Sequence, residues 1–438
     1  MFLAGDDTLR TKLFLSASLI DYPQNTYNGG IVPSMQQATS VSNALYDLSF
    51  WGIHASGKRL LKKAYSKQNT GSKIATGLYN YSLGLLFSKY GSELPVPLGI
   101  WSHEEYHRTV LGVNGIRSKN GNWIFHRWDG TVYGVGDQSL ADLKTNNING
   151  LLYSYVAGVQ SEQMQTKSNV VFDTYNKRTF YKNPLYLYNA YYTWNYFRFA
   201  TSPLSDSVKI IAPQYESTDP YERDFAGADL NAWVYDMFNP GGSYFNRDSF
   251  PNGDGINRRI GFSDLSVEGQ NFLNDQKKLS LLNFINPAIF CINRININEN
   301  TAFNFFFQYN PTHFGNAISL TVPVAYKNNH LIFTGTVYSA KTEQFWGFET
   351  GISRKPITDL WSYSLILHGW NQPENQLFAD TKGRMGGAVE ADLDFKLNRN
   401  FHAGAGITVK SKGWMPGSPY LSDNVSARFR ISYRLYEN

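Results

Sequence analysis

The 438-residue chain has one cysteine, Cys291, and eight histidines. A single thiol excludes an internal disulfide framework and any cysteine-based zinc cluster. Charge is also scarce: Asp, Glu, Lys and Arg make up 17% of the residues, against about 25% in an ordinary soluble domain. No run of 18 or more predominantly apolar residues occurs, which argues against a helical membrane protein. The net charge of +5, from 40 basic and 35 acidic residues, includes no concentrated basic block, so nucleic-acid binding has no compositional support. The phosphate-loop, dinucleotide-binding and G-x-S-x-G signatures are missing too, which removes nucleotide and serine-hydrolase readings.

Aromatic residues stand where charge is missing: 29 Tyr, 29 Phe and 10 Trp, 16% of the chain. That content excludes intrinsic disorder. Polar and aromatic residues without long apolar runs suit a transmembrane β-barrel, whose lumen is polar and whose lipid face carries aromatic girdles. Such a barrel needs a secretory signal, and MFLAGDD has neither a basic region nor an apolar core, so the numbering is expected to start near a mature terminus.

The pattern changes near residue 298. Before it, residues 36–66, 149–166, 184–200, 222–238 and 264–286 have helical length and spacing between Gly, Pro and Asn clusters. The stretches 116–135 and 168–182 read as hairpins or loops, and 202–222 and 239–262 as long loops. Within the last, Asn252, Asp254 and Asn257 lack the closing bidentate Glu of a calcium loop and read as a Gly-rich turn. From about 301 onward the period is two. In 425–436 Val425, Ala427, Phe429, Ile431, Tyr433 and Leu435 alternate with Ser426, Arg428, Arg430, Ser432, Arg434 and Tyr436. In 385–397 Val389, Leu393 and Phe395 oppose Glu390, Asp392 and Asp394. About eight strands of roughly ten residues result; segments 288–297 and 11–20 raise the number to ten. In a narrow barrel the charged rows would pair across a filled lumen, making this third an anchor. Residues 301–438 resemble the small outer-membrane barrels of Gram-negative bacteria in length, alternation and strand number.

Residues 103–107 read HEEYH. This is H-E-x-x-H, which places His103 and His107 one helical turn apart, able to present two imidazoles to one metal with Glu104 beside them. Pro95 and Pro97 precede this helix and Gly112 can end it. The motif resembles that of the zincin metallopeptidases. The resemblance implies that His103 and His107 bind zinc and that Glu104 is the general base. A third His at metzincin spacing is lacking, so the gluzincin arrangement, with a Glu from a later helix, is the better match. Glu162, in LLYSYVAGVQSEQMQ behind the small pair Ala157-Gly158, fills that place. Asp229 in AGADLNAW is the alternative ligand, with a helix N-cap as its other reading. Tyr153, Tyr155, His126 and Arg223 are candidate oxyanion stabilisers.

The expected class is α+β: an N-terminal segment over 1–29 with a possible extra strand, a helical H-E-x-x-H domain over 30–298, and an outer-membrane β-barrel over 299–438. The expected activity is zinc-dependent cleavage of polypeptides at the Gram-negative outer membrane. The alternative is an accessory or structural subunit of an outer-membrane assembly or export complex, its H-E-x-x-H helix non-catalytic and its aromatic segments docking on other outer-membrane proteins.

Overall fold

The alternation at the C-terminal end of the sequence is realised as a long antiparallel sheet, and the helical residues pack against its polar face. The computed structural model describes residues 10–24, 33–67, 69–121 and 130–437. Ten α-helices occur among them: α1 (Met35–Leu60), α2 (Lys62–Lys67), α3 (Thr70–Leu86), α4 (Gly99–Val113), α5 (Asp137–Asn146), α6 (Ile148–Tyr175), α7 (Asn183–Ala200), α8 (Pro203–Ile211), α9 (Asp229–Phe238) and α10 (Val267–Leu279). Local chemistry sets several starts. Ser34 and Gln37 form a reciprocal capping box on α1, Pro184 opens α7, and the Ser266 side chain caps α10. Two expectations change here. Residues 168–175 continue α6 instead of forming a hairpin, and α8 occupies part of the expected 202–222 loop. Among the described residues, no helix is long and apolar enough to cross a membrane.

The strands are β1 (Thr11–Tyr22), the small hairpin β2 (Lys119–Asn120) and β3 (Val132–Tyr133), then β4 (Ile295–Asn298), β5 (Thr301–Phe303), β6 (Phe306–Thr312), β7 (Gly315–Tyr326), β8 (Asn329–Ser339), β9 (Gln344–Pro356), β10 (Trp361–Pro373), β11 (Gly383–Lys396), β12 (Phe401–Lys410) and β13 (Asn424–Tyr436). Eleven of them form one sheet in the order β1-β13-β12-β11-β10-β9-β8-β7-β5-β4, with β6 also on β7. The class is α+β as expected, with a larger sheet than the eight to ten strands read from alternation. The expected barrel closure is not part of the strand pairing: among the described residues the order has two ends, β1 and the β4–β6 group. The early strand β1 pairs with β13 from Thr11↔Tyr436 to Tyr22↔Ala427. Tight turns at 327–328, 357–360 and 397–400 lie at one end of the sheet, and the longer 374–382 and 411–423 loops at the other.

Helix α6 runs along the sheet's polar face. Its 28 residues reach about 42 Å, about the length of a 13-residue strand. Gln163 accepts a backbone-directed bond from Gln308 of β6 at 2.7 Å, Lys167 pairs with Glu349 of β9 at 2.6 Å, and Phe172 stacks on Phe14 of β1 at 4.5 Å. One helix therefore touches strands near both ends of the sheet order, which requires the sheet to curve around it.

The faces are inverted relative to a water-soluble sheet protein. Outward side chains such as Val389, Leu393 and Val425 are 43%, 41% and 57% exposed, while inward Asp394 and Ser426 are 6% exposed. The inward charges compensate one another. Arg428 contacts Asp392 at 2.6 Å and Glu390 at 3.2 Å, and Arg430 contacts Asp392 at 3.1 Å and Asp394 at 2.9 Å. Buried charges are tolerated when each has such a partner. At the tight-turn end, Trp361 packs on Phe395 at 4.7 Å and Phe401 on Tyr433 at 4.9 Å.

Candidate metal centre

Helix α4 carries HEEYH and packs against α6, its one-turn spacing setting His103 and His107 on the same side. Opposite them on α6 stand Ser154, Gly158 and Glu162, each four residues apart and hence one stripe of the helix. Glu162 Oε1 lies 3.1 Å from His103 Nδ1, and the Ser154 carbonyl lies 2.5 Å from His107 Nδ1. Both acceptors require a proton on Nδ1, which leaves each Nε2 with a free lone pair in the neutral ring. Those two Nε2 atoms face one carboxylate oxygen, Asp229 Oδ2, at 3.9 Å from His103 and 3.5 Å from His107.

His103, His107 and Asp229 are all buried, and their three donor atoms lie within 4.8 Å of one another. Tetrahedral ligands on bonds of about 2.0–2.2 Å are separated by about 3.3 Å, so small inward shifts bring this set to one ion. Two further features fit a cation. His107 Nε2 is buried without a hydrogen-bond partner, and a Cβ on Gly158 would collide with the Nε2 atoms of both histidines. A glycine thus keeps open the space in front of the lone pairs.

The surrounding carboxylates favour a positive charge at the cluster, whether a proton or a cation. Burial pushes the Asp229 carboxyl up, but His107 and His103 facing it hold it well below the usual carboxylate range. Burial opposes charge on His103, yet Glu162 first, then Asp229 and Glu104, raise its pKa well above the ordinary imidazole value. Tyr196 of α7 donates a hydrogen bond to Asp229 Oδ2, and the Tyr192 ring stands edge-on to His103 at 5.9 Å. Neither tyrosine was singled out in the sequence, although Tyr188, Tyr192 and Tyr196 recur every fourth residue and form one stripe of α7. Asp224 lies near Asp229; burial, with added repulsion from Asp229 and Glu216, raises its pKa to about 6 against the pull of Arg259.

The other candidates separate clearly. Glu162 meets His103 at the nitrogen that does not face Asp229, so it is placed to orient the ring, and Asp229 completes the cluster in the position assigned to Glu162 by sequence. Asp229 is no side-chain cap: it is the first residue of α9, whose N-cap is Ala228. Glu104 is buried beside His103. Glu105, the second glutamate of HEEYH, instead accepts bonds from Arg108 at 2.7 Å and Asn120 at 2.9 Å, which pins the hairpin to α4. Among the oxyanion candidates, Tyr153 donates to the Ser418 carbonyl at 2.7 Å and Tyr155 to Asp236 at 3.1 Å. Phe225 stands between Tyr155 and the cluster, 5.8 Å from the Tyr155 ring and 5.4 Å from His107. Arg223 is committed to the Ser217 and Thr218 carbonyls at 2.8 and 2.5 Å, with its guanidinium 3.4 Å from the centre of the Phe250 ring. His126 lies outside the described residues. No family model, curated protein or solved structure matches the chain.

Proposed function

We propose that the chain is a zinc-dependent metallopeptidase of the Gram-negative outer membrane, acting on polypeptides, with His103, His107 and Asp229 as the metal ligands. The observation that carries this reading is the pair of Nε2 lone pairs, each fixed by an acceptor on Nδ1 and facing one carboxylate across the space that Gly158 leaves open. The donor set of two imidazoles and one carboxylate is one that catalytic zinc sites use. When bound, zinc supplies a Lewis acid that polarises the peptide carbonyl and makes water a better nucleophile at neutral pH. Glu104 takes the proton from the attacking water on a carboxylate oxygen and delivers it to the departing amine as the C–N bond breaks. Glu162 and the Ser154 carbonyl hold the imidazoles in the tautomer that leaves Nε2 unprotonated. Tyr196, bonded to Asp229, fixes that carboxylate.

The outer-membrane assignment draws on the inverted sheet. Apolar side chains facing outward from a row of exposed strands, over a charged and buried inner face, suit lipid contact better than water. The short turns at one end and longer loops at the other support the same reading. A second reading, an accessory subunit of an outer-membrane assembly or export complex, draws on α3, where Ile74, Leu78 and Leu86 are exposed. Metal analysis of the purified protein beside His103→Ala/His107→Ala separates them. The peptidase reading expects about one zinc per chain, lost in the double variant together with peptide cleavage. A metal-free wild-type protein, or metal fully retained in the variant, refutes it.

A further inference from the structure

A second site of opposite polarity lies at the tight-turn end of the sheet, away from the histidines. A cavity of about 460 Å³ opens there between the C-terminal turns of α6 and the inner face of β8 to β13. Arg354, Arg434, Lys396 and His402 line it, with Asp394 and Asp359 as its acidic residues. The inner-face carboxylates near the cavity already have cationic partners. Asp394 is held at 2.9 Å by Arg430 through both of its oxygens, Asp392 is shared by Arg428 and Arg430, and Glu390 is taken by Arg428 and His368. Among the described residues, Arg354 and Arg434 have no ion pair with a carboxylate. Arg434 donates to Asn176 at 3.1 Å, and the two guanidinium groups converge on one ring, 5.3 and 5.4 Å from the centre of Phe14.

Backbone geometry points the same way. Strict alternation along β9 would set Arg354 on the outward face with Phe348 and Ile352. The register slips there, from Leu365↔Ile352 to Tyr363↔Lys355, so Ser353 and Arg354 together oppose Ser364. This is a β-bulge, the device that re-aims a side chain. Arg354 adopts φ +48°, a conformation disfavoured for a non-glycine residue, and its N–H is held by Ser364 Oγ at 2.9 Å. The chain therefore accepts strain to bring a second arginine to the cavity, where the nearby Asp394 is already held through both oxygens by Arg430.

We propose that this cavity binds a phosphate group, with Arg354 and Arg434 as its paired guanidinium ligands and Lys396 at its rim. Two guanidinium forks without an ion-paired carboxylate match the charge and the several acceptor oxygens of a phosphate better than those of one carboxylate, and the volume leaves room for the molecule that bears it. The phosphate is carried either by a small soluble molecule or by a lipid headgroup. The test uses the full chain in neutral detergent micelles, titrated calorimetrically at constant ionic strength. The probes are inorganic phosphate and, separately, micelles doped with phosphatidylglycerol or with phosphatidylcholine. Binding of inorganic phosphate identifies a soluble source; saturable binding of phosphatidylglycerol over phosphatidylcholine, without inorganic phosphate binding, identifies a lipid one. In either case Arg354→Gln and Arg434→Gln should each weaken binding by about tenfold or more. Arg434→Lys retains the charge without the fork and should still lose several-fold, which keeps the test usable if a Gln variant misfolds. No binding of any probe, or affinity unchanged in the folded variants, overturns the proposal.

Discussion

Gly158 of α6 stands where a Cβ would fall on the Nε2 atoms of both His103 and His107. Gly158→Ala is therefore expected to fill the space needed by a cation. Overpacking of this size costs about 1–3 kcal/mol, which a domain can survive while losing the ion. Elemental analysis should find zinc largely absent from a variant whose circular dichroism remains native. Full zinc content in Gly158→Ala would mean that the ion, if bound, sits elsewhere.

Asp229 and Glu162 are both buried carboxylates near His103, but they meet different nitrogens. Asp229→Asn replaces an anionic ligand with a neutral one and should cause the greater loss of zinc affinity. Glu162→Gln keeps an acceptor for Nδ1 but removes its charge, a change that typically costs about 10–100-fold in metal affinity. Competition with a chromogenic chelator ranks the two variants. The reverse ranking would restore Glu162 as the third ligand.

Glu104→Gln preserves size but removes the proton acceptor. Zinc should remain, while cleavage of a mixed membrane-protein substrate falls by about 100-fold or more. Unchanged cleavage in a zinc-loaded Glu104→Gln protein would take the general base away from this residue.

The pH dependence follows from His103. A proton on its Nε2 competes with the metal, and its pKa stands above the ordinary 6.5, so zinc affinity should begin to fall above pH 6.5 on acidification, by about tenfold per pH unit. Asp229 is depressed and stays ionised throughout. Stability of the zinc-free protein carries the opposite sign: protonated His103 stabilises fully below 6.5, and this contribution is lost as pH rises through the raised value. Glu162→Gln removes the largest cause of that elevation and should move both profiles to lower pH. Chelator competition and thermal melts across pH 5 to 9 read the two effects.

How far the sequence disclosed this site depended on the kind of signal. The one-turn spacing in HEEYH set both histidines on one side of α4, because helical geometry is local. The gluzincin resemblance and the small pair Ala157-Gly158 point to Glu162, which does lie against His103, but neither says which ring nitrogen it meets, since that depends on how α4 and α6 pack. Asp229 arrives from a segment far along the chain and was read only as an alternative. Alternation exposed the strands and their two faces, including the early strand β1, yet closure and strand order depend on long-range pairing that period two does not encode. Helix α3 lies outside the segments with helical spacing, and Gly71, Gly77 and Gly84 within it weaken a helical pattern. In the fold, Gly84 serves close packing, since a Cβ there would meet Phe50 and Pro184 at 2.9 Å.

The inverted sheet yields the last prediction. Ile431 lies on the outward face of β13, with 37% of its surface exposed, while Ser432 beside it is buried on the inner face. If the outward face meets lipid, Ile431→Arg should destabilise the vesicle-inserted protein by about 2–4 kcal/mol when the position lies near the bilayer midplane, and less toward either interface. In water the same change at an exposed site would cost within about 0.5 kcal/mol, so the two environments differ by a measurable margin. Asp394→Leu is the companion variant. It leaves Arg430 without its bidentate partner and should cost about 3–5 kcal/mol wherever the protein resides. Urea unfolding in phospholipid vesicles reads both. A neutral Ile431→Arg, together with a wild-type chain that is monomeric and soluble without detergent, would remove the lipid assignment, because an apolar row that tolerates a charge is not held against hydrocarbon.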